Sequence, residues 1–513
     1  MFRSWFRRSV IQPIAGVRAV ETRRSVRLVR KGKVVEVTPT SPTETLLDYL
    51  RIRERAVGTK EGCGEGDCGA CTVALGRLID GEPVYEPVNA CIQLLGMADG
   101  AEIVTVEDIG TVSDPHPVQE AMARHHGSQC GFCTPGIVMS LFSLFQRGSE
   151  PATRPVINEW LAGNLCRCTG YRPIVDAAMD VLSGERDDPF TQNAGEKAAM
   201  LAALETGDDL FCGDDERFFA APRTLDDLAR LYSQHPDATL VAGATDVGLW
   251  ITKSLRDLPK IIWLGHVEGL DRVDEDDGWV RIGATCTYSG SEAVMAALDP
   301  DLGELWRRIG SKQVRASGTV GGNVANGSPI GDTPPVFIAL GAVLELRRGE
   351  EVREIPLQDF FLDYGKQDRQ EGEFVVGIRI PKPAPYRVFR CYKISKRFDQ
   401  DISSVMGAFS FTLEDGRLSD PIVAFGGMAG TPKRSVSAEA VLEQADLHDG
   451  ACWQSALDAL ARDFKPLSDH RASADYRLET AKALLAKALA EISGVRSDMT
   501  RIRGHREMEQ ADG

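Results

Sequence analysis

Polar and apolar residues alternate near the start of the chain, between Ser25 and Val37, on both sides of a Lys31–Gly32 pair. Alternation with a period of two around such a pair predicts a β-hairpin. A helical pattern at 41–53 and further strand-like runs follow it. The order strand, strand, helix, loop, strands predicts a β-grasp domain over 25–109.

From residue 110 onward, the apolar positions recur with the period of a helix. Four such segments each place a proline near the first turn, where proline is well tolerated. They predict a small all-helical domain over 110–186. The next segment, 187–215, is polar and shows little periodicity, so it predicts a linker.

Two further domains are expected after this linker. A capped helix, a buried-looking strand and a glycine-rich stretch at 314–337 occupy the region 216–387. Strands followed by helices occupy 388–500, an order that predicts an α+β domain. The chain as a whole is therefore expected to be a multidomain α+β protein.

The first residues, 1–24, carry six arginines and no acidic residue before Glu21. This composition is shared by transit peptides and twin-arginine signals. The apolar stretch after Arg8 is short and is broken by Gln12 and Pro13, which disfavours a signal peptide. We interpret the segment as a loosely ordered extension.

Charge and cysteine content narrow the function classes. The net charge of −16 argues against nucleic acid or an anionic membrane as the main partner. The sequence contains no run of about 18 apolar residues, so it indicates no membrane span.

Twelve cysteines in 513 residues are too sparse for a disulfide scaffold. Eight of them form two tight groups, which indicates metal ligation in a reducing compartment and a cytoplasmic location. The isolated ones are interpreted as buried structural thiols: Cys212, Cys286, Cys391 and Cys452.

The first cysteine group lies in the segment GTKEGCGEGDCGACTV. Cys63, Cys68 and Cys71 are spaced C-x4-C-x2-C, and Cys91 follows a short hairpin-like stretch. This is the plant-type spacing of a 2Fe–2S cluster. Glycines suit such a loop because they adopt positive φ and let N–H groups approach the bridging sulfides. A zinc knuckle or a disulfide loop is the alternative, although zinc sites favour C-x2-C pairs.

The second cysteine group lies at junctions between predicted helices. Cys130 and Cys133 form a C-x2-C pair, and Cys166 and Cys168 form a C-x-C pair. Helix N-termini favour an anionic core, so a second iron–sulfur cluster fits here. A structural zinc ion is the alternative, because this spacing allows either metal.

The stretch 314–337 contains five glycines and small residues almost throughout. The N–H groups of such a backbone can form a nest around a diphosphate. It lacks the spacing of a Rossmann fingerprint and of a Walker P-loop. A tight loop without a ligand is an equal alternative on the spacing alone.

With these motifs in this order, the sequence resembles the iron–sulfur and flavin subunits of the molybdenum hydroxylase family, in its xanthine dehydrogenase branch. The resemblance covers nearly the whole chain after residue 24 and implies a β-grasp 2Fe–2S ferredoxin domain, an all-helical 2Fe–2S domain, a vanillyl-alcohol-oxidase-type FAD domain and a C-terminal α+β flavoprotein domain. The motifs that carry it are GTKEGCGEGDCGACTV, GSQCGFCTPG, NLCRCTGYRP, LVAGATD, GGNVANGSPIGD and CYKISKRFDQDIS.

The resemblance also implies a function for the chain. A separate large subunit would hold the molybdenum–pterin cofactor and oxidise hypoxanthine and xanthine, in a heterotetramer with two copies of each chain. This chain would pass electrons through two 2Fe–2S clusters to FAD and then to NAD+, with dioxygen as the alternative acceptor. No catalytic residue is expected in it, and Lys396 and Arg397 are expected near the flavin and NAD+.

The resemblance assigns cofactor contacts residue by residue. The first cluster takes Cys63, Cys68, Cys71 and Cys91, and the second takes Cys130, Cys133, Cys166 and Cys168. Gln129 matches a position that touches the pterin in relatives. The FAD contacts implied are Leu240, Val241, Ala242, Gly243, Ala244, Thr245, Asp246, Val247, Ile309, Thr319, Val320, Gly321, Gly322, Asn323, Asp332, Val375 and Lys393.

Two other function classes stay open at this point. One is an equivalent subunit for carbon monoxide, an aldehyde or an N-heterocycle, and the other is a stand-alone electron-transfer protein or ferredoxin reductase. The fusion of iron–sulfur and flavin modules in one chain favours the purine enzyme, as does the segment KRFDQDIS. This sequence is not expected to identify the substrate, because the substrate pocket would lie on the partner subunit.

Overall fold

The computed structural model describes residues 22–495. Its N-terminal unit is a five-stranded mixed sheet in the order β3-β2-β6-β4-β5. The hairpin predicted at Lys31–Gly32 is confirmed, with both residues at positive φ and its two strands antiparallel. A short helix, α1 (Leu46–Asp48), is capped by the Thr45 side chain and continues as a π-helical turn, Tyr49–Arg53. The strands of this sheet are β2 (Val26–Arg30), β3 (Lys33–Val37), β4 (Thr72–Ile79), β5 (Glu82–Asn89) and β6 (Glu102–Val104), and the preceding β1 (Thr22–Arg23) joins a sheet of the central unit.

A helical unit follows, and the prediction of helices there is confirmed. Each of its helices has a proline in the first turn, and buried aromatic residues such as Phe142 and Trp160 fill the space between them. The helices are α2 (Pro117–Arg124), α3 (Thr134–Gln146), α4 (Arg154–Leu161) and α5 (Arg172–Ser183).

The prediction of a linker over 187–215 is wrong, because this segment is folded. It forms α6 (Pro189–Gln192), α7 (Ala194–Ala202) and β7 (Asp209–Gly213). Lys197 of α7 forms an ion pair with Glu102 at 2.7 Å, and Leu201 packs with Val29. The partners Glu102 and Val29 are far from this segment in the sequence, so the local polar pattern does not reveal these contacts.

The predicted loose extension, 1–24, needs a correction at its end. Thr22–Arg23 forms β1, which pairs in parallel with Asp209–Leu210 of β7. Arg23 also forms a bidentate ion pair with buried Asp99. Residues 1–21 lie outside the described residues.

The central unit contains two five-stranded sheets, in the orders β1-β7-β8-β10-β9 and β11-β12-β17-β13-β14, and a small β15-β16 pair. Its strands are β8 (Phe218–Ala221), β9 (Thr239–Val241), β10 (Lys260–Trp263), β11 (Val273–Glu275), β12 (Trp279–Gly283), β13 (Val343–Arg348), β14 (Glu351–Pro356), β15 (Phe361–Asp363), β16 (Lys366–Gln367) and β17 (Phe374–Pro381). Its helices are α8 (Leu225–Gln234), α9 (Val247–Thr252), α10 (Tyr288–Leu298), α11 (Pro300–Arg307), α12 (Lys312–Ser317), α13 (Val320–Asn326), α14 (Thr333–Ala339) and α15 (Leu357–Phe360).

The C-terminal unit has strands followed by helices, as predicted. Its antiparallel sheet, in the order β18-β19-β20-β21, packs against the helices that follow it. The predicted boundary at residue 500 lies outside the described residues. The elements are β18 (Arg387–Ile394), β19 (Val405–Glu414), β20 (Arg417–Gly426), β21 (Lys433–Arg434), α16 (Val436–Leu442), α17 (Gly450–Asp463) and α18 (Ala474–Ile492).

The N-terminal and central units share a hydrophobic core. Leu95 and Met97 of the first unit pack in one cluster with Phe219 and Trp263 of the second. A β-carbon on Gly96 would lie only 2.4 Å from the Phe219 ring, so glycine permits this close approach. Over 22–495, no helix combines the length and apolar character that a bilayer span requires.

Candidate functional site

The first cysteine group converges in space. Cys63, Cys68 and Cys71 lie in the loop before β4, and Cys91 lies two residues after β5. Hydrogen bonding to the Cys68 and Cys91 sulfurs lowers the pKa of Cys63. Contacts with Cys63 and then Cys71 raise the pKa of Cys91. The four sulfurs therefore surround one small volume, and all four are free of disulfides.

Backbone N–H groups of this loop point at the sulfurs. The amides of Glu65 and Cys68 donate to Cys63 Sγ at 3.4 Å, and the amide of Cys63 donates to Cys68 Sγ at 3.3 Å. Gly64, Gly66 and Gly69 all have positive φ. This conformation turns the amides inward, where they stabilise negative charge on the sulfurs.

The second cysteine group also assembles from distant parts of the chain. Cys130 contacts Cys168, and Cys133 contacts Cys166. Burial, followed by the contact with Cys166, raises the pKa of Cys133 to about 12. Cys130 and Cys168 are exposed, whereas Cys166 is buried. The group thus spans from the interior of the helical unit to its surface.

Each group offers the ligand set of a 2Fe–2S cluster. Such a cluster is held by four cysteine thiolates divided between two irons. Each group brings four cysteines together, and none of them is in a disulfide. A tetrahedral zinc site also takes four ligands, around one centre. Both groups therefore suit a 2Fe–2S cluster by residue type and number.

The two cysteine loops are in direct contact. The amide of Leu165, next to Cys166, donates to the carbonyl of Cys68 at 3.0 Å. A β-carbon on Gly69 would lie 2.2 Å from the carbonyl oxygen of Gly163, and one on Gly136 would lie 2.0 Å from that of Gly69. Glycine at these positions lets the backbones of the two loops touch.

The two glycine loops of the central unit also meet. A β-carbon on Gly243 would lie 1.8 Å from the Ser317 carbonyl oxygen, so the first loop rests on the backbone that leads into the second. Thr319 caps α13 by accepting from the Gly322 amide at 3.1 Å. A β-carbon on Gly322 would lie 2.6 Å from Thr319 Oγ1 and 4.0 Å from the β-carbon of Ala242 in the first loop.

The remaining predicted FAD contacts of these loops lie at or beside the ends of β9, α9 and α13, and their roles stay predictions. Leu240 and Val241 end β9, Ala244 has a positive φ of 58°, and Val247 begins α9. Burial raises the pKa of Asp246. The loop members not yet placed are Thr245, whose side chain faces Gly318, the first-turn residues Val320 and Gly321, and Asn323, which accepts from Thr333 at 2.7 Å.

Asp332 and Lys393 come together across the junction of the central and C-terminal units. Lys393 Nζ lies 2.5 Å from one Asp332 carboxylate oxygen, and Ser403 Oγ donates to the other. The Lys393 and Asp332 side chains are nearly inaccessible. The pair therefore fixes β18 beside the second glycine loop.

Three further predicted contacts lie outside the two glycine loops along the chain. Ile309 packs on the central core, and Val375 pairs with Leu346 inside a sheet. Their roles as FAD contacts stay predictions. Gln129 is exposed beside Cys130, and its contact with a pterin is likewise a prediction.

Lys396 and Arg397 lie on an exposed loop of the C-terminal unit. Lys396 Nζ donates to the His470 carbonyl at 2.7 Å, and Arg397 donates to the Gln400 carbonyl at 2.9 Å. Gln400 in turn donates to the carbonyl of Asp67, inside the first cysteine loop, at 2.6 Å. The charged loop is thus tied to the first cysteine group.

Sequence reasoning missed the residues that join the first cysteine group to the central unit. Lys253 donates to the Cys63 carbonyl, and Ile92, next to Cys91, packs on Gly248, next to the first glycine loop. No local pattern marks Lys253, because its partner lies 190 residues away. These contacts place the glycine loops beside the first cysteine group.

Comparison with protein families finds four matches along the chain. A 2Fe-2S iron-sulfur cluster binding domain matches residues 29–93, and a 2Fe-2S binding domain matches 105–179. The FAD binding domain in molybdopterin dehydrogenase matches 215–383. The CO dehydrogenase flavoprotein C-terminal domain matches 390–492. The predicted fold class is thereby confirmed, with two 2Fe–2S domains, an FAD-binding domain and a C-terminal flavoprotein domain.

Curated relatives are similar over most of the chain. Xanthine dehydrogenase of Emericella nidulans is 32% identical over 502 residues, which cover 86% of this chain and 36% of the relative. Xanthine dehydrogenase/oxidase of Rattus norvegicus is 33% identical over 459 residues, which cover 79% of this chain and 34% of the relative. The chain thus spans about a third of the length of these relatives.

Solved structures of CO dehydrogenase are also similar. The enzyme from Hydrogenophaga pseudoflava matches with a TM-score of 0.50 and 27% identity, over 52% of this chain and 94% of that one. The reconstituted enzyme from Oligotropha carboxidovorans matches with a TM-score of 0.50 and 26% identity, over 54% and 96%. Together with the four domains and the converging cysteines, these relatives show that the chain belongs to the molybdenum hydroxylase family, as its iron–sulfur and FAD part.

Proposed function

We propose that the chain is the electron-transfer subunit of an NAD+-reducing xanthine dehydrogenase. Electrons enter from a molybdenum–pterin cofactor on a separate large subunit, pass two 2Fe–2S clusters and FAD, and leave on NAD+. The observation that carries the proposal is the unbroken contact between the second cysteine group, the first cysteine group and the glycine loops. Clustered unpaired cysteines fit a cytoplasmic location.

The exposed end of the second cysteine group supports docking of the large subunit there. Cys130 and Cys168 are exposed, as is Gln129. Phe132 and Leu165 stand beside them with 49% and 46% of their surfaces accessible. Exposed apolar side chains with polar residues beside them are typical of a protein interface. The assembly proposed is a heterotetramer with two copies of each chain.

The residues of this chain would act by holding and insulating the redox groups. Two 2Fe–2S clusters supply one-electron carriers, and FAD links one-electron to two-electron transfer. The inward amides of the first cysteine loop favour the negative charge that accompanies reduction. The backbone of the glycine loops around Gly322 would hold the FAD diphosphate, and the Lys393–Asp332 pair braces the adjoining strand.

The similar proteins point to two candidate substrates. The named relatives at 32–33% identity are xanthine dehydrogenases, which favours purines. The similar solved structures are CO dehydrogenases, which favours carbon monoxide as the second candidate. The fusion of all four domains in one chain supports the purine enzyme.

The native chain, purified with whatever binds it, provides the test. We expect a molybdenum-containing partner, about four irons per chain in two clusters, and reduction of NAD+ by xanthine or hypoxanthine. Turnover of carbon monoxide or an aldehyde instead of purines would replace the substrate assignment. A chain that carries FAD and iron but no molybdenum partner would point to a stand-alone reductase.

The two cysteine groups are tested by single substitutions. Reduced wild-type protein should give two distinct 2Fe–2S signals in electron spin resonance. Cys68→Ser should remove one signal, and Cys166→Ser the other, with the remaining signal unchanged. Zinc in place of iron at the second group would contradict the two-cluster assignment.

A further inference from the structure

Helix α12 connects the central unit to both cysteine-bearing units. It runs from Lys312 to Ser317 and leads directly into the second glycine loop. Lys312 lies over the Trp160 ring at 4.8 Å, and Arg315 pairs with Glu159 at 3.2 Å. Both side chains contact the helical unit, and Arg315 also donates to the carbonyls of Ile309 and Gly310 in its own unit. Gln313, between them, reaches further.

The Gln313 side chain lies at the meeting point of three units. Its Nε2 is 3.2 Å from Thr72 Oγ1 in the N-terminal unit. The same nitrogen is 3.1 Å from Ser140 Oγ and 2.9 Å from Asn164 Oδ1 in the helical unit. Only 1% of Gln313 is accessible, so water cannot replace these partners without opening the interface.

The hydrogen-bond acceptors of this network require a donor at position 313. Ser140 Oγ donates to Asn164 Oδ1 at 2.7 Å, and Thr72 Oγ1 donates to the Gly69 carbonyl at 2.7 Å. Both hydroxyl protons are therefore already used, and the two hydroxyl oxygens face Gln313 as acceptors. The amide nitrogen supplies the missing N–H groups.

The amide oxygen of Gln313 is accommodated by a glycine. Among the described residues Oε1 has no hydrogen-bond partner, and it faces Gly163. A β-carbon on Gly163 would lie 2.2 Å from Oε1 and 2.5 Å from Ser311 Cβ. Any side chain at position 163 would therefore push α12 out of the junction.

The partners of Gln313 belong to the cysteine loops themselves. Thr72 follows Cys71, and Asn164 lies two residues before Cys166. Asn164 also donates to the Gly69 carbonyl at 3.2 Å, so the two loops share one acceptor between Cys68 and Cys71. Gln313 thus contacts both loops within two residues of a cysteine of each group.

We infer that Gln313 is a positioning residue, through which the docked central unit holds the two cysteine loops, and hence the two clusters, at one fixed separation. The inference rests on the proposed function only in requiring both clusters. It assigns to the flavin-bearing unit a role in electron transfer between the clusters, in addition to accepting electrons from them.

Gln313→Leu tests the inference, because leucine has nearly the same size and no N–H group. Asn164 and Thr72 still bond to each other and to Gly69, so the variant is expected to fold. Pulsed dipolar electron spin resonance on fully reduced enzyme measures the distribution of cluster–cluster distances. We expect a wider distribution than in wild type and slower electron transfer between the clusters, at unchanged iron and FAD content.

Lys312→Met is the matched control, because it alters the same helix and interface without touching the network. Its distance distribution should equal that of wild type. Gln313→Ala serves if leucine prevents folding, and it should also widen the distribution. A Gln313 variant with the wild-type distribution, or a Lys312→Met that widens it equally, would overturn the inference. Wild type lacking two signals would instead refute the two-cluster function.

Discussion

Lys253 of the central unit donates a hydrogen bond to the carbonyl oxygen of Cys63, with 2.5 Å between the two atoms. The same ammonium lies 3.4 Å from a carboxylate oxygen of Glu65. A positive charge from the FAD-binding unit is thereby held beside the first cysteine group. Since a cluster gains negative charge on reduction, this ammonium favours the reduced form.

Lys253→Met should lower the reduction potential of the first cluster. The side chain is 45% accessible, so solvent screens much of the interaction. An interaction energy of about 0.5–1 kcal/mol between this partly screened charge and the cluster corresponds to a change of roughly 20–40 mV in the reduction potential. Redox titration followed by electron spin resonance measures it for both clusters separately. Lys260→Met, which removes an ion pair with Asp237 in the same unit, is the control and should leave both potentials unchanged. An unshifted first cluster would contradict the electrostatic role.

Gly322→Val should prevent FAD from loading while the protein stays folded. Its β-carbon would enter the gap between the glycine loops, where Ala242 lies opposite, and the short contact is with the Thr319 hydroxyl rather than backbone. Gly243→Ala should lose stability as well as FAD, because its β-carbon would collide with the Ser317 backbone. Flavin content and thermal unfolding, measured together, separate the two effects.

The bound FAD should also be released by acid precipitation, because no His or Cys occurs in either loop to link it covalently. Full FAD content in Gly322→Val would remove the second loop from the site.

Charge reversal at Lys396 and Arg397 should weaken NADH binding. Both side chains are exposed on a loop tied to the first cysteine group through Gln400. A positive rim attracts the dinucleotide diphosphate, and each exposed charge contributes roughly a two- to fivefold change in affinity. The dependence of anaerobic flavin bleaching on NADH concentration measures this affinity.

Arg417→Glu is the matched control for this loop. Arg417 also donates to a backbone carbonyl on the surface of the C-terminal unit, that of Gln444, so its reversal should leave NADH binding unchanged. Failure of excess NADH to bleach FAD-loaded wild type, with turnover of purines by dioxygen, would establish an oxidase instead.

Lys312→Met should stabilise the protein at neutral pH, with a gain that disappears in alkali. Burial lowers the pKa of Lys312 to about 8, against an ordinary value of about 10.4. As pH falls from about 10.4 to about 8, the unfolded chain therefore binds a proton at Lys312 while the folded chain does not. The free energy of unfolding of the wild type decreases over this range and stays lower below it. The gain from Met should reach about 2–3 kcal/mol below pH 8. Thermal unfolding across this range provides the measurement, and a constant difference between variant and wild type would contradict it.

Local spacing was enough to predict much of this molecule. The Lys31–Gly32 turn, the proline-started helices and the grouping of the cysteines depend on residues close together in the chain. Turn geometry, helix starts and metal-ligand spacing are encoded over a few residues, so the sequence displays them directly. The order of the four domains follows from the same motifs.

The fold of the segment 187–215 depends instead on residues far away in the chain. Its polar composition predicts a linker, yet Lys197 pairs with Glu102 and Leu201 packs with Val29. Helices this short gain most of their stability from tertiary contacts rather than from local propensity. A polar pattern therefore does not distinguish a helix docked on a neighbour from a solvated linker.

By itself, then, the sequence determined which residues are predicted to carry the chemistry, whereas only the tertiary structure decided how the predicted redox sites are joined. The cysteine groups and glycine loops are local motifs. Gln313 and Lys253 belong to no quoted motif, and the motif that contains Gln400 does not reveal its contact, because the hydrogen-bond partners of these residues lie between 149 and 333 residues away. Such contacts exist only once the separate units have packed together, since their geometry depends on the relative placement of whole domains and not on the spacing of neighbours along the chain.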